Sequence, residues 1–170
     1  MKIETNVESI KSDKFLKELS FCRNDTNSYL RKLLPQENNE VLYDAINYAI
    51  FSGGKRFRAF LVIQAAKLFE IPKIRALQAA SAIEITHTYS LVHDDLPSMD
   101  NDDMRRGKPT VHIKWDEATA ILVGDALQAF AYQILSDKKT HPKSEVRLNL
   151  IKTLSKASGY NGMVLGQSKD

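Results

Sequence analysis

Cysteine and long apolar runs are both scarce in this chain. Cys22 is the single cysteine among 170 residues, so no internal disulfide can form and a reducing compartment is the expected location. The first residues, MKIETNVESIKSDKF, lack the apolar core of a signal peptide. No later apolar stretch approaches the roughly 18 residues of a membrane span. These absences predict a soluble, cytoplasmic protein with no membrane span.

Charge of one sign is not in large excess either. The formal net charge is +3, and no basic run is long enough to form a nucleic-acid-binding stripe, so nucleic acid is not an expected partner. The content of 43% hydrophobic and 26% charged residues is ordinary for a globular protein. A chain of 170 residues fits one domain with a substantial core.

No alternating apolar and polar pattern of useful length predicts a strand. Apolar residues recur instead at helical spacing, interrupted by prolines and by a Gly-Gly pair that is typical of a helix end. The predicted helices run from Ser9 to Leu34, Asn39 to Phe51, near Lys55 to before Pro72, Lys73 to Leu96, Asp116 to Leu135 and Glu145 to Ala157. The pattern predicts an all-α helical bundle.

Small residues in two of these helices predict close helix packing. They are Ala79, Ala80 and Ala82 in one helix and Ala118, Ala120 and Gly124 in the other. Asp125 beside them is expected to be a buried acid with its own partners, so it is not assigned to a site.

The most distinctive stretch is the acidic run from His93 to Lys108. It carries five aspartates within ten residues, followed by Arg105 and Arg106. Two unit charges 4 Å apart repel by about 4 kcal/mol at an intermediate dielectric, so such carboxylates need cations or water around them. Mg²⁺ takes one or two protein carboxylates and completes its shell with water and phosphate oxygens, and arginine forks suit phosphate. The run therefore suggests a Mg²⁺-dependent diphosphate site.

A solvated acidic loop is the alternative interpretation of this run. The preceding stretch, Ala79 to Val92, is apolar and helix-compatible, which sets Asp94 and Asp95 at the end of a buried segment and argues against it. An EF-hand is excluded because the loop lacks the glycine at its sixth position and the glutamate at its twelfth.

The basic stretch SGGKRFR, residues 52 to 58, is the second candidate. Cations in the first turn of a helix oppose its dipole by a few tenths to about 1 kcal/mol each, and a bound anion would favour them. Lys55 and Arg58 are expected to share one helical face, with Arg56 pointing elsewhere. A solvated basic turn is the alternative. His87, about two turns before Asp94 and on nearly the same face, is either a core residue or a further contact to the same ligand.

Four stretches together resemble the N-terminal half of the bacterial farnesyl diphosphate synthases, which are trans-prenyltransferases of the polyprenyl synthetase family. They are GGKRFR (Gly53 to Arg58), HTYSLVHDDLPSMDNDDMRRGKPT (His87 to Thr110), EATAILVGDALQ (Glu117 to Gln128) and GMVLGQSKD (Gly162 to Asp170). The resemblance implies the isoprenoid synthase fold, a homodimer in the full-length form, and Mg²⁺ as cofactor. The implied reaction condenses isopentenyl diphosphate with an allylic diphosphate, dimethylallyl or geranyl, to give farnesyl diphosphate.

The resemblance also implies roles for individual residues. The residues similar to isopentenyl diphosphate ligands are Lys55, Arg58, His87 and Arg106. Those similar to the Mg²⁺ ligands are Asp94 and Asp100, with Asp95 in the same catalytic motif. Arg105 resembles the residue that holds the allylic diphosphate, Gln167 and Asp170 resemble the motif that lines the allylic side, and Tyr89 resembles the aromatic floor that limits product length. Ala59 departs from the family's usual proline.

A second Asp-rich motif, which the family carries in its C-terminal half, does not occur in these 170 residues. We therefore expect residues 1–170 to be the N-terminal part of a single prenyltransferase domain and to be inactive alone. The alternatives are a geranylgeranyl diphosphate synthase and a non-catalytic prenyltransferase-like subunit that needs a partner chain.

Overall fold

The computed structural model describes residues 2–34 and 40–170 and is mainly helical. The elements in chain order are α1 (Lys2–Leu33), α2 (Val41–Phe51), α3 (Phe57–Leu68), α4 (Lys73–Asp94), β1 (Met104–Arg105), β2 (Lys108–Pro109), α5 (Val111–Lys114), α6 (Glu117–Ser136), α7 (Ser144–Ser158) and α8 (Met163–Gln167). The all-α prediction is confirmed. Helix α1 ends at Leu33, one residue before the predicted end at Leu34. Asn39, where the second predicted helix begins, lies outside the described residues.

Helix α1 continues without a break through the polar stretch Arg23 to Asn27. The polar groups there find partners without breaking the helix: the Thr26 hydroxyl donates to the Cys22 carbonyl at 2.7 Å. Asp25 forms an ion pair with Lys73 at 2.6 Å. Local satisfaction of these groups removes their tendency to end the helix.

Helix α3 begins at Phe57, later than the predicted start near Lys55. The backbone of Arg56 lies in the left-handed region with φ 54°, so the residues before Phe57 cannot belong to the same right-handed helix. The prediction that Lys55 and Arg58 share a helical face is therefore wrong, because only Arg58 belongs to α3.

The core lies where α4 packs against α6, with α2 covering one side. Its fully buried members include Ile85 on α4 and Val123 and Leu127 on α6. Of the small residues predicted to allow close packing, Ala80, Ala82, Ala120 and Gly124 are buried, whereas Ala118 is exposed. Asp125 is also exposed, so the expectation of a buried acid is wrong.

Strands β1 and β2 form a two-residue antiparallel hairpin in which Arg105 pairs with Lys108. Arg106 and Gly107 make its turn with φ of 55° and 74°, as a two-residue turn with both central residues left-handed requires. Strands of two residues are too short to give an alternating pattern, so the sequence did not predict them. The hairpin determines where the two arginines point.

Among the described residues, α6 is the one helix long and apolar enough to cross a membrane by length and composition. The sequence-based expectation that no apolar stretch approaches the length of a membrane span is therefore not met by α6. Core helices pass the same test, and α6 contacts α2, α4, α5 and α7, so this feature is weak evidence for a membrane.

Candidate active site

The acidic run begins where α4 ends, and the chain folds back on itself immediately afterwards. The Asp100 amide donates to the Asp94 carbonyl at 2.8 Å, and the Asn101 amide donates to the Leu96 carbonyl at 3.1 Å. Pro97 lies in this turn, after the helix has ended, so no kinked helix is needed to bring the two aspartates together. The fold-back holds Asp100 beside the last turn of α4.

The carboxyl of Asp94 has a raised pKa, first because it is partly buried and next because of the negative charge of Asp100. A divalent cation between the two carboxylates would relieve both effects. Within residues 13–34 and 40–170, no group of three or more His, Cys, Asp or Glu side chains is arranged to hold a metal. Asp94 and Asp100 are therefore candidates only for a hard cation of the kind that takes one or two protein carboxylates and obtains its other ligands from substrate and water.

Asp95 faces away from this pair and anchors Arg105. Its side chain is 5% exposed. The Nε atom of Arg105 donates a hydrogen bond to its Oδ1 at 2.5 Å, and the Nη2 atom of Arg105 forms an ion pair with the same oxygen at 2.5 Å. Arg105 also reaches Asp102 at 3.1 Å, and the hydrogen bond with Asp95 is the main reason that the pKa of Arg105 is raised. The two adjacent aspartates therefore act differently: Asp94 remains available to a cation, whereas Asp95 fixes a guanidinium.

Arg106, at the tip of the hairpin, extends to the glycine turn that precedes α3. Its Nη1 atom donates to the Gly53 carbonyl at 2.5 Å. A Cβ atom on Gly54 would lie 2.9 Å from the Arg106 guanidinium carbon, and the φ of Gly54 is 111°, a backbone conformation that favours glycine. Arg105 and Arg106 thus serve different surroundings, as expected for neighbours on a strand.

His87, on α4, contacts Arg58 of α3, with 3.3 Å between Nε2 and Nη1. Burial, followed by the positive charges of Arg58 and three other arginines, lowers the pKa of His87 from 6.5 to about 4. The imidazole is therefore neutral at physiological pH in a strongly positive environment. Such a concentration of guanidinium charge is typical of a site that binds an anion.

A buried ion pair beneath this basic region was not predicted from the sequence. Arg56 and Glu84 are 4% and 3% exposed, and their side chains approach to 3.4 Å. Arg56 also donates to Asn27 at 2.9 Å and to the Ile50 carbonyl. Glu84 accepts the Ala59 amide at 2.9 Å, a bond that the family's usual proline could not make because it has no N–H.

Two cavities meet at Asp94. The first, of about 350 Å³, is lined mainly by apolar side chains and includes Tyr89, His93, Asp94, Ile121, Met163 and Gln167. The second, of about 450 Å³, includes Arg58, His87, Ser90, Asp94, Leu154 and Met163. Both cavities are lined mainly by apolar side chains, and the second also has the guanidinium of Arg58 and the neutral imidazole of His87 in its wall. The candidate cation ligand Asp94 belongs to both.

Of the predicted site residues, Tyr89, Asp94 and Gln167 line the first cavity, and Arg58, His87 and Asp94 line the second. Asp95, Arg105 and Arg106 line a separate, smaller cavity, and Asp100, Lys55 and Asp170 line none of the three. Lys55 lines a separate groove against α1, beside Arg23 and Phe57. Asp170 follows the end of α8 and is exposed, so it does not continue the helical face of Gln167.

Comparison with known proteins identifies the family of this chain. The model of the family described as polyprenyl synthetase matches residues 39–170. The chain belongs to this family. It is 46% identical over 158 residues to a farnesyl diphosphate synthase of Haemophilus influenzae, a match that covers 92% of this chain and 53% of that protein. It is 44% identical over 144 residues to geranylgeranyl pyrophosphate synthase 4 of Arabidopsis thaliana, covering 85% of this chain and 38% of the relative.

A solved structure supports the same assignment. The apo crystal structure of an FPP/GFPP synthase from Zymomonas mobilis superimposes with a TM-score of 0.84 at 45% identity, covering 94% of this chain and 57% of that one. The chain spans about half the length of the curated polyprenyl synthetases that it matches.

Proposed function

We propose that the whole protein is a prenyltransferase that condenses isopentenyl diphosphate with dimethylallyl or geranyl diphosphate to give farnesyl diphosphate. The observation that carries this proposal is the position of Asp94, which lines both the apolar cavity beside Tyr89 and the cavity that contains Arg58 and His87. An allylic substrate has an apolar chain and a diphosphate, and it must meet a second diphosphate at the reacting carbons. Two adjoining cavities with the Asp94 carboxylate at their junction suit this requirement.

In this proposal the carboxylates bind the cation, and the arginines and His87 bind the diphosphates. Mg²⁺ held by Asp94 and Asp100 would supply Lewis acidity toward the leaving diphosphate. Arg105, oriented by Asp95, would stabilise the same developing negative charge. Arg58 and His87 would bind the second diphosphate, with His87 donating a hydrogen bond as a neutral imidazole. No side chain needs to act as a nucleophile in this scheme.

The remaining expectations belong to the same proposal. Residues 1–170 form the N-terminal part of one prenyltransferase domain in a cytoplasmic homodimer, with no nucleic-acid partner and no membrane span. Farnesyl diphosphate is favoured as product by the aromatic ring of Tyr89 in the apolar cavity. The similarity to a geranylgeranyl pyrophosphate synthase supports a second candidate product, geranylgeranyl diphosphate.

The test compares this chain with the product of the complete reading frame that encodes it, whatever its length. Each is incubated with isopentenyl and geranyl diphosphates and Mg²⁺, and prenyl products are quantified. We expect no condensation by residues 1–170 alone and farnesyl diphosphate from the complete product. Farnesyl diphosphate from this chain alone would refute the expectation of inactivity.

The metal assignment is tested in the complete product. Asp94→Ala and Asp100→Ala should each abolish turnover while the circular dichroism spectrum stays unchanged, because each removes a proposed cation ligand. Asp13→Ala, at an exposed position of α1, is the matched control and should keep full activity. Near-normal turnover in both site variants would reject the assignment.

A further inference from the structure

The imidazole of His93 occupies the space that a side chain at position 124 would need. Gly124 is buried in α6, and a Cβ atom there would overlap the Nε2, Cδ2 and Cε1 atoms of His93, the last at 2.6 Å. Contacts this short do not occur between real side chains, so the ring of His93 rests directly on the backbone of α6. Neither residue has a part in the reaction scheme given above.

The ring is held in this position from two further directions. Nε2 of His93 lies 3.2 Å from the Ile121 carbonyl oxygen, one turn earlier on α6. The Tyr89 ring meets it edge to face, with the centroids 6.0 Å apart. His93, Tyr89 and Ile121 all line the cavity of about 350 Å³. The imidazole therefore has α6 on one side and open cavity on another.

We propose that the contact of His93 with Gly124 sets the width of the apolar cavity next to Asp94, and so limits the length of the prenyl chain. The inference rests on the proposed function and adds a second determinant to the aromatic ring of Tyr89. Tyr89 lies one helical turn before His93 on α4, farther from Asp94. A side chain at position 124 would push the imidazole away from α6 and into the cavity, because the other side is closed by backbone.

Product distribution gives the direct measurement. The product of the complete reading frame is incubated with dimethylallyl diphosphate, excess isopentenyl diphosphate and Mg²⁺, and the ratio of ten-carbon to fifteen-carbon products is determined. Gly124→Ala should raise this ratio roughly tenfold or more, as a change of one methyl group in an apolar pocket can. Adding His93→Ser should restore the original ratio, because the smaller side chain leaves room for the new methyl group.

Gly166→Ala is the matched control, since α8 contains Gly166 and a Cβ atom there would contact nothing within 4 Å. It should leave the ratio unchanged. General damage to the site lowers the rate of turnover without moving the ratio, so the two effects are separable.

His93→Ala alone tests the same contact by removing the imidazole instead of adding a methyl group. It remains a test of the proposal if Gly124→Ala does not fold. It should widen the cavity and lower the ratio of ten-carbon to fifteen-carbon products below that of the wild type, because the aromatic floor at Tyr89 is unchanged. Wild-type product distributions from folded, active Gly124→Ala and His93→Ala would overturn the inference and leave the proposed function standing. A wild-type protein that forms no prenyl product would refute the proposed function, and the inference with it.

Discussion

Truncating Glu84 to alanine should destabilise this chain strongly, although Glu84 touches neither cavity. The substitution removes the ion-pair partner of Arg56, which is 4% exposed, and leaves the guanidinium with Asn27 and the Ile50 carbonyl as its remaining acceptors. It also takes the acceptor from the Ala59 amide at the start of α3. Two buried polar groups thus lose a partner at once.

Breaking a buried ion pair from one side typically costs about 3 to 5 kcal/mol, because an uncompensated charge remains inside. Total stabilities of about 5 to 15 kcal/mol are usual, so this loss would be a large share. For a chain of this size it corresponds to a fall in melting temperature of about 6 to 20 °C. Arg56→Ala combined with Glu84→Ala should cost less than the sum of the two single variants, because no buried charge is left unpaired.

Urea denaturation and thermal melting of residues 1–170 measure these differences. Glu18→Ala is the control, since Glu18 pairs with Lys67 at 3.8 Å where the two side chains are 42% and 59% exposed. That surface pair should contribute no more than about 1 kcal/mol. If Glu84→Ala lowered the free energy of unfolding no more than Glu18→Ala does, the proposed stabilisation of the turn before α3 by the ion pair would be refuted.

Three other predictions follow from the site. The pKa of His87 falls from 6.5 in the unfolded state to about 4 in the fold, so between these pH values the unfolded state binds more protons and the free energy of unfolding should decrease as pH falls. His87→Gln should flatten this pH dependence in urea titrations. An identical slope for the variant and the wild type would contradict the prediction. Arg58→Ala should raise the KM for isopentenyl diphosphate by about tenfold or more in steady-state assays. This increase should be larger than the increase in the KM for the allylic substrate, and larger than the increase that Lys55→Ala causes in the KM for isopentenyl diphosphate. Equal changes in the two KM values would count against this prediction. Tyr89→Ala should lengthen the prenyl products, because it removes the aromatic ring from the cavity. Tyr89→Phe should not, because the buried hydroxyl has no hydrogen-bond partner among the described residues. An unchanged distribution of product lengths for Tyr89→Ala, measured by chromatography, would remove the support for farnesyl diphosphate.

The helices were predictable because their apolar spacing and the flanking prolines and glycines are local features. The acidic run, Arg105 and Arg106 were also found from sequence, since their composition is distinctive. The left-handed backbone of Arg56 was not, because an arginine in this conformation leaves no compositional signal. That single φ angle moves the start of α3 and separates Lys55 from Arg58.

Contacts between segments that are distant in the chain could not be predicted from the sequence either. Arg56 and Glu84 are 28 residues apart in the chain, and their pairing depends on how α4 packs. An ideal helix turns Tyr89 some 140° from Asp94, yet both line one cavity. The cavity extends around the end of α4 because Leu96 and Met99, in the following turn, complete its wall, which helical spacing alone does not reveal.

The hairpin tip links segments far apart in the chain: Arg106 bonds to Gly53 across 53 residues, and Tyr48 bonds to the Pro109 carbonyl across 61. Closing such long loops is entropically unfavourable until other contacts reward it. We therefore expect helices α4 and α6 to pack while the glycine turn is still undocked, and the candidate anion-binding region to be completed late in folding. If that region binds diphosphate as proposed, a chain captured before this step should have native helix content but bind no pyrophosphate. Pyrophosphate would then stabilise only the finished form, shifting the equilibrium toward it by mass action.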